Sequence, residues 1–115
     1  MRGEIWWVGL DPSVGAEANK SRTAVVVGRG RLAERAMERG SGVVAVVPTT
    51  TRHLDSVFDF QLLLPASRTG LGADCKAQAE QLRAVDVRRL SRRAGYVPPD
   101  LMAELDDRIR VWLDL

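Results

Sequence analysis

The sequence predicts a mostly β domain of α+β character, a small antiparallel barrel with a C-terminal helix. Three observations carry that prediction. Short apolar, β-branched stretches recur along the chain between turns marked by Gly, Pro and Asp. Helical periodicity is clear in one long stretch only, at the C-terminus. Strand–helix–strand alternation is nearly absent, which argues against a parallel sheet. With 115 residues and 45% apolar composition, the chain forms one domain, residues 1–115, able to bury a core without disulfides.

"GEIWWVGL" (Gly3 to Leu10) reads as a strand in which Trp6 and Trp7 point to opposite faces. "DPSVGAEANKS" is a loop. "RTAVVV" follows, and Ala24 to Val27 form an uninterrupted buried-strand signal. In "GRGRLAERAMERGSG", Leu32, Ala33, Ala36 and Met37 lie at helical spacing, a short helix or helical loop. "GVVAVVPTTT" is a strand with Pro48 near its end, where a missing ladder donor costs least. "VFDFQLLL" alternates Phe58, Phe60 and Leu62 against Asp59 and Gln61, a half-buried strand over Val57 to Leu64. "PASRTGLGA" is a turn. "DCKAQAEQ" has the period of a strand over Asp74 to Gln81, with Lys76 facing away from Cys75. "AVDVRRLSRRAGYV" is a helical turn or a strand ending at Gly95. From Pro99 to Leu115, Leu101, Leu105, Ile109, Trp112 and Leu113 share one helix face, with Pro99 and Asp100 suited to its start.

The net charge is only +2, but arginines crowd two segments, Arg29–Arg39 and Arg83–Arg93. Such clusters suit an anionic partner. No apolar run approaches the ~20 residues of a membrane span, and the N-terminus does not read as a signal peptide. No membrane partner is therefore expected. The single cysteine fits a reducing, cytoplasmic setting.

The catalytic inventory is short. His53 is the only histidine, so a paired-histidine nuclease mechanism is excluded. Cys75 lacks a second thiol for zinc, and no carboxylates cluster as hard-metal ligands do, so neither metal nor cofactor is expected. No Gly-rich nucleotide loop is present. What remains is Glu17, Lys20, Ser21 and Arg22 at the mouth of one strand, and Thr49, Thr50, Thr51, Arg52 and His53 at the end of another. A sheet brings such ends together. Arginine offers a planar fork of donors for phosphate oxygens, and threonine adds a hydroxyl.

"RGEIWWVGLDPSVGAEANKSRTAVVV" resembles the opening of the MazF/PemK family of toxin endoribonucleases. "VVAVVPTTT", "FDFQLLLP", "LGADCKAQAEQLRAVD" and "ELDDRIRVWLDL" resemble its later blocks in the same order, across essentially the whole chain. The resemblance implies an SH3-like barrel assembled as a homodimer. It implies a toxin of a type II toxin–antitoxin system that cuts single-stranded RNA, mainly messenger RNA, without metal. A cognate antitoxin would block the RNA groove, and operator DNA would be met only through the antitoxin complex. Carried over by position, the catalytic arginine falls on Arg22, the catalytic threonine on Thr50, and an acid of the preceding loop on Glu17. Two departures stand out: Thr23 occupies a position usually held by proline, and the second strand runs into Gly28-Arg29-Gly30.

On this reading the 2′-hydroxyl of RNA attacks its own phosphate, giving 2′,3′-cyclic phosphate and 5′-hydroxyl ends. Arg22 and Thr50 stabilise the phosphorane, and Glu17 is a weaker candidate for the base. Lys20, Ser21, Thr49, Thr51, Arg52 and His53 are candidate RNA contacts. Gln78 and Gln81 either join them or satisfy backbone and the dimer seam. Two other classes stay open: a gyrase-binding toxin like CcdB, and an inactive module that binds only antitoxin or DNA.

Overall fold

The computed structural model describes residues 1–115. The elements in chain order are β1 (Glu4–Gly9), β2 (Ser21–Val26), α1 (Gly30–Arg39), β3 (Val43–Thr50), β4 (Gln61–Leu64), α2 (Ala66–Thr69), β5 (Cys75–Gln78), β6 (Arg83–Asp86), β7 (Leu90–Tyr96) and α3 (Pro99–Leu113). All strand pairings are antiparallel, in the order β4-β5-β3-β2-β1-β7, with β6 also paired to β3.

The uninterrupted apolar runs have a simple cause: both faces of the central strands are covered. Val8, Ala24, Val26, Val44 and Val46 belong to one apolar cluster, which α1 covers with Ala33 and Ala36. Ile5, Val25 and Val47 belong to the other, with Leu62, Leu64, Cys75 and the α3 residues Leu101, Met102 and Leu105. Residues on a strand alternate faces, so a strand buried on both sides reads as continuous hydrophobicity.

β3 organises the sheet. One edge pairs with β2; the other pairs with β6 over Val43–Val46 and with β5 over Thr49–Thr50. Pro48 falls in the gap between those two ladders, where a missing N–H donor breaks no pairing on that edge. The same gap explains why the strand predicted over Asp74–Gln81 stops at Gln78. A single 3₁₀ turn, Ala79–Gln81, carries the chain sideways along β3 from β5 into β6. The ambiguous segment after it resolves as β6, a 3₁₀ turn at Val87–Arg89, and β7.

The strand predicted over Val57–Leu64 keeps only its second half. β5 pairs with β4 from Leu64 back to Gln61 and then turns away, so nothing is left to pair with the preceding residues. Residues 58–61 instead form a turn, closed by the Gln61 N–H donating to the Phe58 carbonyl at 2.9 Å, with Phe58 stacked on Phe60 (5.4 Å between rings) and Phe60 against Trp112 (5.0 Å). Accordingly, Trp112 and Leu113 at the end of α3 stay half-exposed, while Leu101 and Leu105 are buried.

The predicted barrel is present as this seven-stranded antiparallel sheet, but its ring is open. β4 and β7 end the strand order, and no ladder joins them. The short helix α2 lies in the way. A Cβ on Gly95 of β7 would sit 2.5 Å from the Thr69 carbonyl oxygen, so α2 meets β7 only because residue 95 has no side chain.

Candidate active site

The start of β2 and the end of β3 meet at one margin of the sheet. The register pairing Ala24 with Pro48 and Val25 with Val47, continued to the strand ends, brings Arg22 level with Thr50. A cleft of about 410 Å³ opens there, lined by Trp7, by residues 19–23 and by residues 49–52. Its lining holds three cations, Lys20, Arg22 and Arg52, and no carboxylate. Hydroxyls come from Ser21, Thr23, Thr49, Thr50 and Thr51. Positive charge with several short-chain donors is the composition a phosphate needs.

Arg22 is half-buried and held by its own loop. Its Nε donates to the Asn19 carbonyl at 3.1 Å, and an Nη donates to Asn19 Oδ1 at 3.2 Å. No ion pair involves it. The guanidinium is therefore oriented by neutral acceptors and keeps its full charge for a ligand. Thr50 Oγ1 accepts from the Arg52 N–H at 3.2 Å, which leaves the hydroxyl proton free to be donated.

Thr23, in place of the expected proline, has its own means of holding the strand extended. Thr49 Oγ1 donates to the Thr23 carbonyl at 3.2 Å, so the second bond, between the two hydroxyls, has Thr23 as its donor. A cross-strand hydroxyl pair thus takes over from a ring constraint. It also makes Thr49, only 3% exposed, a supporting residue rather than a surface contact.

The remaining predicted residues divide cleanly. Lys20, Ser21, Thr51 and Arg52 line the cleft with Arg22 and Thr50. Glu17 does not: its Oε1 accepts the Val14 N–H at 2.7 Å, closing a turn of the β1–β2 loop. Gln81 ties that loop down, accepting from the Ala18 N–H at 2.7 Å and donating to the Ala16 carbonyl at 2.9 Å. Gln78 lies opposite Gln61 in the β4–β5 ladder, with its side-chain oxygen buried and unpaired. His53 is exposed on the β3–β4 loop, with a positive φ of 55°, and contributes its backbone carbonyl to Lys76. Cys75 is buried, and burial pushes its thiol pKa up. That leaves it a structural thiol. No group of three or more His, Cys, Asp or Glu is placed to hold a metal ion.

The sequence singled out neither Asn19 nor Trp7 as a cleft residue. Asn19, three residues before Arg22, is a residue type that bonds locally in turns, and that spacing was its signal.

Comparison with known proteins decides the family. The family described as "PemK-like, MazF-like toxin of type II toxin-antitoxin system" matches residues 1–113. The chain belongs to this family. Among MazF relatives, it is 49% identical over 114 residues to endoribonuclease MazF9 of Mycobacterium tuberculosis, covering 99% of this chain and 96% of the relative. It is 31% identical to endoribonuclease MazF6 of the same species, again over 99% and 96%. The fold is similar to a crystal structure of MazF from Deinococcus radiodurans, with TM-score 0.80 and 24% identity, covering 98% of this chain and 94% of the other. It is also similar to a mycobacterial endoribonuclease solved with its cognate antitoxin, with TM-score 0.74 and 16% identity, covering 100% and 95%.

Proposed function

We propose that this MazF-family toxin endoribonuclease cuts single-stranded RNA, mainly messenger RNA, by attack of the substrate's own 2′-hydroxyl, with Arg22 and Thr50 stabilising the reaction. The observation that carries the reading is the Arg22–Thr50 cleft: a pre-oriented, unpaired guanidinium beside a free hydroxyl proton, among cations and with no carboxylate in the lining.

The chemistry follows from that inventory. The 2′-oxygen bonds to phosphorus while the bond to the 5′-oxygen breaks, leaving a 2′,3′-cyclic phosphate and a 5′-hydroxyl. Charge grows on the non-bridging oxygens as the phosphorane forms, and Arg22 and Thr50 donate to them. The adjacent 2′-hydroxyl supplies the proximity a bound water would otherwise need. The cleft is open to solvent, so the 2′ proton passes to water and the departing 5′-oxygen takes one up. Glu17, spent on the Val14 amide, is assigned to holding the loop. Lys20, Ser21, Thr51 and Arg52 are assigned to neighbouring phosphates and sugars.

We further take the active form to be a cytoplasmic homodimer, neutralised by a cognate antitoxin. The exposed aromatic patch of Phe58 and Trp112 supports self-association, because a patch rich in large apolar groups gains by burial. The test is incubation of purified protein with single-stranded RNA in EDTA, followed by analysis of product ends. Cyclic phosphate ends and no cutting 3′ of a 2′-deoxy residue are expected. A 5′-phosphate product, or dependence on a divalent ion, overturns the mechanism.

A further inference from the structure

The open ring of the sheet leaves a slot beside the catalytic cleft. It is a cavity of about 480 Å³ between the turn at residues 70–73 and the outer strand at residues 92–94. It shares Trp7, Thr23 and Thr51 with the Arg22–Thr50 cleft, so the two are continuous.

Three properties of the slot point to a ligand. First, its walls carry unused backbone groups. Gly72 and Ala73 make no backbone hydrogen bond, and β7 is an edge strand with nothing paired on its outer side. Unpaired donors and acceptors on two walls can read the edge of a planar heterocycle. Second, it has an aromatic surface with a guanidinium beside it: the Arg92 guanidinium carbon lies 5.7 Å from the centre of the Trp7 ring. The exposed Arg92 side chain needs to swing out by only about 1–2 Å for a base to stack on the indole face with the guanidinium over it. Third, its charge suits RNA. Arg92 and Arg93 are exposed and make neither an ion pair nor a side-chain hydrogen bond, and no acid lines the slot.

We propose that this slot is a nucleobase subsite, which takes the base of a nucleotide next to the scissile phosphate and stacks it on Trp7 under Arg92. The inference rests on the proposed RNA cleavage and adds where substrate selection is made. An extended peptide pairing with the β7 edge is the competing occupant. The continuity with the phosphate cleft and the aromatic–guanidinium pair favour a base.

Gly72 gives a clean probe. A Cβ there meets nothing within 4 Å, and its φ is not in the left-handed range, so Gly72→Phe adds a large ring at the wall of the slot without straining the turn. The ligands are short fluorescein-labelled 2′-fluoro oligomers of A, C and U, which carry no attacking hydroxyl, and a tetrahydrofuran abasic strand of equal length. Wild-type protein should bind one or more base-bearing strands about five- to a hundredfold more tightly than the abasic strand, the range a stacked base supplies. In Gly72→Phe that preference should collapse to within about twofold, while abasic binding stays unchanged. Arg92→Ala should reduce the preference too, and serves as the test if a thermal melt shows Gly72→Phe unfolded. The proposal is overturned if the preference survives either folded variant. Equal loss of abasic and base-bearing binding also overturns it, as does loss of antitoxin binding alone. None of these strands can be cut, so a protein that prefers bases yet cleaves no RNA refutes the proposed reaction and not the subsite.

Discussion

Replacing Arg22 by alanine isolates the central chemical claim. In the folded protein the guanidinium makes two hydrogen bonds, both to Asn19, and no ion pair. Each such bond contributes about 0.5–1.5 kcal/mol to stability, nearer the lower figure for a half-exposed group. Its loss is offset by relief of repulsion among Lys20, Arg22 and Arg52. The net change in stability should stay within about 1 kcal/mol, a Tm shift below about 5 °C for a domain of this size. Activity should respond very differently. A donor aimed at developing phosphorane charge is worth roughly 10²–10³ in rate, or about 2.7–4 kcal/mol. Single-turnover cleavage of a labelled RNA, run beside a thermal melt, separates the two effects. Arg22→Lys should recover part of the rate, because it restores charge without the fork that grips Asn19 and phosphate together. Asn19→Ala should lose rate by about tenfold with Arg22 intact, since it removes only the orientation. Wild-type rates in Arg22→Ala would refute the site. A large Tm loss with a proportionate activity loss would make Arg22 a structural residue.

Thr50→Val should lower cleavage by about 10²-fold with little change in Tm, read by the same single-turnover assay. Glu17→Gln keeps an acceptor for the Val14 amide and should cut RNA within about twofold of wild type; a hundredfold loss would restore Glu17 as the base. Lys76→Met should lower stability by about 1–3 kcal/mol in urea, because the carbonyls of His53 and Ser56 lose their shared donor. Asp86 is held down to about 2 by its side-chain hydrogen bond with Arg88, and then by the Arg88 N–H. Its unfolded value is near 3.9, so its contribution is present above about pH 4 and lost as pH falls through about 2. Asp86→Asn should therefore be less stable than wild type at neutral pH, and the two should converge in acid denaturation below about pH 2.

Sequence pattern revealed most where one cause dominated. The Ala24–Val26 and Val44–Val47 stretches marked strands because they are covered on both faces, and Leu101 and Leu105 marked α3 because one face is. That a charged strand start and a hydroxyl-rich strand end would meet was legible too, since one precedes and the other follows a buried strand, while the choice of Arg22 and Thr50 among those residues came from the family resemblance. The sequence was silent where the outcome depended on a neighbour's length. Phe58 and Phe60 alternate like strand residues, but β5 turns away at Gln78 and leaves them unpaired. Glu17 was the weaker candidate for the base, carried over by its position in the loop before Arg22. Whether a carboxylate faces a cleft or its own loop depends on one torsion, which spacing does not encode. The gap between β4 and β7 follows from a contact between Gly95 and Thr69, residues far apart in sequence and individually unremarked.

Lys76 stands directly across the β3–β5 ladder from Thr50, 4% exposed, its Nζ capped by the carbonyls of His53 at 2.9 Å and Ser56 at 2.6 Å. No carboxylate pairs with it. The positive potential around Thr50 thus has two layers, the cleft cations Lys20, Arg22 and Arg52 facing solvent and one cation fixed within the protein. Dissolved salt collapses the first layer within a Debye length but cannot reach the second as readily. Raising ionic strength should accordingly weaken RNA capture steeply while eroding turnover of captured RNA much less. A toxin built this way would keep its chemistry constant across changes in cellular salt and let only its reach vary.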